Sequence, residues 1–219
     1  MGLELITPPA LEPVDLADAC THLRVLPGTD DAYISSLIVA ARMLVEGDTR
    51  RALITQTWVL GLEDGWPEDR DSTAQNRDGG SYGYGTGVPS RTWRYRISLP
   101  LPPLIAVNGI SYVDQLGTVQ SLVTNQYQVS KSRTGEWYVE PAFNVAWPQA
   151  RSQMTSIAIN FDCGYGPAGS DVPEPLKVAM KLLMGQWYDH RASLDIIRAG
   201  EGELPNAARA LVQRYRVMY

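Results

Sequence analysis

An α+β fold is what this sequence predicts, and three observations carry it. Apolar residues recur with a helical period at both ends of the chain, they alternate with a period of two through the middle, and the turns between the middle runs are short. The chain has 219 residues, 44% hydrophobic and 20% charged. A chain of this length removes roughly two-thirds to 70% of its unfolded surface from water on folding, so disorder throughout is excluded.

The N-terminal part predicts two helices. Asp15 caps the first, whose Leu16, Cys20 and Leu23 share one face, and Pro27-Gly28 ends it. The second opens at Asp30-Asp31, acids suited to a first turn. It places Ile34, Leu37, Ile38, Ala41, Leu44 and Val45 on one stripe before Gly47. Near the other end, Pro173 and Pro175 fit the first turn of a helix, where a missing N–H costs nothing. Leu176, Ala179, Met180, Leu183 and Trp187 then form a stripe extending to about Ala192. After Gly200-Glu201-Gly202, Leu204-Pro205 starts a last helical segment with Ala208, Leu211, Val212 and Tyr215 on one side.

Between these ends, Trp93, Tyr95, Ile97 and Leu99 alternate with Arg94, Arg96 and Ser98, as in a strand with one wet face. Further strands are predicted at 53–62, 107–113, 119–123, 127–129, 136–140 and 157–163, with turns at Asp114 to Gly117 and Thr134-Gly135. Such a series indicates an antiparallel sandwich or a barrel-like sheet. Residues 64–90 fit neither period. This glycine-rich stretch is too long for a hairpin loop, and ordering it costs about 1–2 kcal/mol of backbone entropy per residue. It is expected to be mobile until a partner surface orders it.

Composition narrows the function. There are 19 Lys plus Arg against 24 Asp plus Glu, a net charge of −5, so no global basic field draws in nucleic acid or anionic lipid. No apolar run approaches the roughly 18 residues of a membrane span. The N-terminus does not read as a signal peptide. Cys20 and Cys163 form no CxxC, and reduced thiols, with neither disulfide framework nor zinc site, are expected.

Catalytic motifs are weak. Gly164-Tyr165-Gly166-Pro167-Ala168-Gly169 spells GxGxxG after a strand, but the following helix opens too late for a dinucleotide site, and a glycine-shaped turn is the better reading. His22 and Cys20 point to different faces of a helix, and His190 suits a helix C-terminus. Glu63, Asp64, Glu68, Asp69 and Asp71 read as a solvated acidic face. No catalytic, cofactor or metal residues are assigned, and no enzyme activity is expected.

Several segments, taken in order, resemble the head-to-tail connector (adaptor, or head-completion) proteins of long-tailed phages and gene transfer agents. They are His22-Leu23-Arg24-Val25, Asp30-Asp31, Ile34 to Ala41, Thr49-Arg50-Arg51-Ala52-Leu53, and Leu99-Pro100 with Pro102-Pro103-Leu104. Ile110-Ser111-Tyr112, Trp147-Pro148, Gly164-Tyr165-Gly166, Val172-Pro173 and Trp187-Tyr188-Asp189-His190-Arg191 continue the series. The resemblance covers nearly the whole chain, although residues 71–88 match no motif of the group.

The resemblance implies a helical domain of about four helices built from 1–50 and 170–219, with an inserted antiparallel β domain at 51–169. It implies a structural virion protein with no cofactor, forming a ring of commonly twelve copies under the portal protein. A tail-side connector or stopper protein would lie below, and DNA would pass through without specific binding. The implied portal contact is the C-terminal segment, with Leu204, Leu211, Val212, Tyr215, Val217, Met218 and Tyr219. Its deletion from Ala207 onward is expected to leave a folded subunit that no longer binds portal. Asp64, Trp66, Tyr82, Tyr84, Arg91, Arg94 and Arg96 are the candidate contacts to a neighbouring subunit or the tail. The competing reading is a carbohydrate- or ligand-binding β-module of a phage or bacterial surface protein, suggested by six Trp and eleven Tyr.

Overall fold

The computed structural model is that of an α+β protein in which residues 2–63, 65–67, 95–189 and 206–217 are described, and among these residues there are four α-helices and eight strands. The chain divides into two compact units. One comprises residues 1–6, 57–100 and 106–162, and the other 7–56, 101–105 and 163–219. The chain therefore passes between them five times, after residues 6, 56, 100, 105 and 162.

The helical unit is built on α1 (Leu16–Leu23), α2 (Asp31–Thr49), α3 (Glu174–Asp189) and α4 (Asn206–Val212). Asp15 caps α1 by accepting the Asp18 N–H at 2.6 Å, satisfying one of the orphan donors of the first turn. The helix stops at Leu23, before Pro27-Gly28. Arg24 takes the left-handed conformation (φ 58°), and its N–H reaches back to the carbonyls of Cys20 and Thr21, a local C-cap that ends the helix without glycine.

The second helix runs through Gly47 to Thr49. Val45 and Thr49 on either side of that glycine are fully buried, so packing outweighs its roughly 1 kcal/mol propensity deficit. The buried stripe of α3 is Leu176, Ala179, Met180, Leu183 and Met184, with Trp187 half-covered at its margin. Ile34, Leu37, Ile38, Ala41 and Val45 of α2, Ala19 and Cys20 of α1, and Ala208 and Val212 of α4 share that core. Each large side chain there gains about 1.5–3 kcal/mol on leaving water.

In the other unit, β1 (Gly2–Thr7), β2 (Gln56–Leu62), β8 (Ile157–Cys163), β4 (Leu104–Val113) and β5 (Val119–Leu122) form a five-stranded sheet in that order. A three-stranded sheet has β3 (Ile97–Leu99), β7 (Trp137–Pro141) and β6 (Tyr127–Lys131). Pairing is antiparallel between β4 and β5, β3 and β7, and β6 and β7. Ile157, Ile159, Phe161 and Cys163 alternate with half-exposed residues along β8 and are fully buried, the period-two pattern of a strand with one face in the core.

Further differences from the sequence reading lie around β2 and at the N-terminus. The run from Leu53 enters the core three residues before β2 begins. Leu53 and Ile54 are buried, but the Leu53 N–H goes to Glu46 Oε1 and the Thr55 N–H to the Gly166 carbonyl, so these residues make core contacts outside any ladder. Strand β1 was not foreseen, because all six of its residues are exposed and it carries no buried face to read.

Candidate functional site

A largely buried polar cluster in the helical unit is centred on Glu46. One turn earlier on α2, Arg42 presents Nη1 to Glu46 Oε2 at 2.8 Å and Nε to Glu12 Oε2 at 2.8 Å. Glu46 Oε1 accepts the Leu53 N–H and the Gln56 Nε2 amide, each at 2.8 Å. The i,i+4 spacing brings Arg42 and Glu46 together on the helix surface, and the guanidinium fork spans two carboxylates. Burial pushes the Glu46 carboxyl above its ordinary range, against the opposing pull of the Leu53 N–H and Arg42. For Arg42, burial acts downward, but Glu12 and Glu46 outweigh it and the net shift is upward. The cluster is closed on itself and works as a clasp that ties 12, 42, 46, 53 and 56 together.

A second set of bonds anchors the C-terminal segment. Arg51 Nε donates to the Tyr215 carbonyl at 2.5 Å, and the Val217 N–H donates to the Thr49 carbonyl at 3.0 Å. Val212 is fully buried and Val217 is 8% exposed, while Leu211 and Tyr215 pack half-covered against the core. Ala208, Val212 and Val217 are buried, so the segment from Ala207 onward, expected from the sequence to be dispensable for folding, contributes core residues. Leu204, Met218 and Tyr219 lie outside the described residues.

In the β unit the site is aromatic. Trp66 is 7% exposed, and its ring stacks on Trp147 with centroids 4.3 Å apart and planes 5° from parallel. The Tyr112 ring lies 6.0 Å away at 56°, and Trp147 Nε1 donates to the Tyr95 carbonyl at 3.1 Å. Trp66, Trp147 and Tyr95, with Pro67, Pro141, Pro148 and Gln115, line a cavity of about 810 Å³, a size in the range of small-molecule sites. Trp66, a candidate contact to a partner, is thus a wall of this cavity rather than an exposed patch.

Arg96, another candidate, donates through Nε to Glu140 Oε2 at 2.6 Å, and its guanidinium carbon lies 5.9 Å from the Tyr138 ring centroid. Glu140 also accepts the Gln128 amide at 3.0 Å. Arg96 thus finds its acidic partner within its own chain, on β7. Asp64, Tyr82, Tyr84, Arg91 and Arg94, together with the glycine-rich stretch 64–90 apart from Gly65, Trp66 and Pro67, lie outside the described residues. So does His190.

The GxGxxG run is filled by protein. A Cβ on Gly164 (φ +130°) would stand 2.5 Å from the Ile54 carbonyl carbon, one on Gly166 would collide with the Asp171 carboxylate, and one on Gly169 would reach the Pro13 carbonyl oxygen at 2.7 Å. Gly164 and Gly169 are required by close backbone approach and Gly166 by the Asp171 side chain, so local packing accounts for the run. Cys20 and Cys163 are both buried as thiols. Among the described residues, no three His, Cys, Asp or Glu side chains converge to hold a metal ion, and no helix is long and apolar enough to cross a membrane.

No protein-family model matches the chain, and no curated protein matches it. Solved structures do. A chain from the neck of an empty gene transfer agent (GTA) particle computed with C6 symmetry superposes with a TM-score of 0.71 at 23% identity, covering 100% of this chain and 97% of that one. The two share a fold. A chain from the virion of a native GTA particle gives 0.70 at 22% identity, and one from the neck of a native GTA particle computed with C12 symmetry gives 0.67 at 21%, both with the same coverage. The likeness to GTA chains extends through both units. Neither the Glu46 clasp nor the Trp66–Trp147 stack was foreseen, since each joins residues whose only signal in the sequence is being a Glu, an Arg or a Trp.

Proposed function

We propose that this chain is a structural virion protein of the neck of a gene transfer agent or tailed phage: a head-to-tail connector that forms a ring under the portal. The observation that carries the reading is the superposition of the entire chain, helical unit and β unit together, on neck chains of GTA particles. A shared helical core alone would be common to many proteins. The joint match of two units interleaved along one chain is far more restrictive. The C6 and C12 symmetries of those necks support a cyclic assembly of this chain, with twelve copies as the expected number.

In this role the chain binds the portal on one side and a tail-side connector or stopper on the other, and catalyses nothing. Of the candidate portal contacts that are described, Leu211 and Tyr215 are half-covered and available. The net charge of −5 per chain is multiplied around a ring and disfavours adhesion of the DNA that passes through it. The test is to mix the purified chain with the portal protein of the same particle and measure the mass of the complex. A portal-bound ring of about twelve copies is expected, and absence of any complex would sink the reading.

The Trp66–Trp147 cavity favours one competing reading, a ligand-binding β-module. That reading predicts thermal stabilisation by a sugar or other small ligand and no affinity for portal. A panel of mono- and oligosaccharides in thermal melts separates the two.

A further inference from the structure

The geometry points to a subunit contact in which the outer edge of β1 in one copy, which pairs with no strand among the described residues, meets the outer edge of β5 in the next, likewise unpaired among them, so that the five-stranded sheet continues around the ring. The inference rests on the neck-ring reading above.

The sheet order places β1 and β5 at opposite edges. All six residues of β1 are exposed, with Leu3, Leu5 and Ile6 at 40%, 42% and 49%. Natural edge strands are guarded by lysine, proline or a bulge against unwanted pairing. The segment Gly2-Leu3-Glu4-Leu5-Ile6-Thr7 has none of the first two, and its one charge is an acid.

At the other edge, the register shows which backbone groups are open. The Val113 N–H donates to the Ser156 carbonyl, away from β5. Alternation along β4 then aims Tyr112 and Ile110 at β5, and with them their partners Gln120 and Leu122. The bond from the Asp114 N–H to the Thr118 carbonyl continues the same alternation. Val119 and Ser121 are left with their N–H and C=O groups facing outward. The Val119 side chain is 68% exposed. In the turn that feeds β5, Arg151 Nη1 lies 3.2 Å from the position of a Cβ on Gly117, a cation beside this edge to answer Glu4 on the other.

Cyclic symmetry of the kind in the GTA necks needs a heterologous contact, one patch meeting a different patch on the next copy. Two unlike edges of one sheet meet that requirement. Because β5 has only four residues, the paired area falls below the roughly 1,200 Å² of stable interfaces. The contact therefore closes in the portal-bound ring and not between free subunits.

Cysteine pairs test the contact: Leu3→Cys or Leu5→Cys, each with Val119→Cys or Ser121→Cys, oxidised in portal-bound rings. Neighbouring Cβ atoms of paired strands lie about 4.5–5.5 Å apart, close to disulfide reach. At least one pair is expected to give a ladder of covalent multimers, and single-cysteine controls none. Ser121→Pro, which removes an outward N–H from an edge strand that tolerates proline, is expected to keep the free subunit folded and to lower ring yield up to about tenfold. Intact rings with no cross-link from any pair and an undiminished Ser121→Pro yield overturn the edge pairing while the ring stands. If the wild-type chain forms no ring with portal, the neck reading falls and the edge pairing with it.

Discussion

Glu46 takes three donors in a mostly buried position, and that makes it the residue whose loss is most costly for its size. Glu46→Ala strands the Leu53 N–H, the Gln56 amide and one arm of Arg42. A cost of about 3–5 kcal/mol is expected, readable as a shift in the urea midpoint. Its ionisation also has a sign. Burial raises the folded carboxyl above the ordinary value, so the stability it contributes is full below the unfolded value of about 4.3. That contribution is lost as pH rises through the raised folded value. Glu46→Gln, which keeps an acceptor for Leu53, is expected to remove this decline; urea titrations of both proteins from pH 4 to pH 8 check it, and an unchanged slope would refute it. In the β unit, Trp147→Ala removes one face of the Trp66 stack and the donor to the Tyr95 carbonyl. It is expected to cost about 2–4 kcal/mol and Trp147→Phe clearly less, with tryptophan fluorescence reporting the altered environment of Trp66.

At the scale of elements, α4 decides how the proposed portal contact is to be probed. Ala208 and Val212 are fully buried in the helical core, so deletion from Ala207 onward is expected to lower the melting temperature of the helical unit or unfold it, visible by circular dichroism. Tyr215→Ala is the better probe: the Arg51 bond goes to the Tyr215 backbone carbonyl and survives the change. It is expected to weaken portal binding with a melting point near that of the wild type. The sequence made α2, α3 and β8 legible because each has a continuous buried stripe, at the helical period or at the period of two. It concealed β1, whose Leu and Ile face solvent, and the end of α1, where Arg24 adopts a conformation usually left to glycine. It also could not distinguish core from surface in the last segment. Val212 and Val217 look alike as short apolar residues near a terminus, and only the bond from Val217 to Thr49 and the packing of α4 on α3 put them inside.

For the whole molecule, the acidic balance and the two-unit architecture carry different consequences. With −5 per chain, the free protein is expected not to retard duplex DNA at physiological salt, since non-specific binding depends on neutralising several phosphates; a gel shift under those conditions would contradict the proposed passive channel. The division into units, by contrast, was only partly legible, because residues 2–6 and 101–105 each belong to the unit that the surrounding sequence does not suggest. Those small exchanges raise the number of chain passages between the units to five. Mechanically, a pull on one unit is delivered to the other through five covalent links in parallel, and a single protease nick at any of them leaves four. No one peptide bond then carries the whole of a load passed between the units.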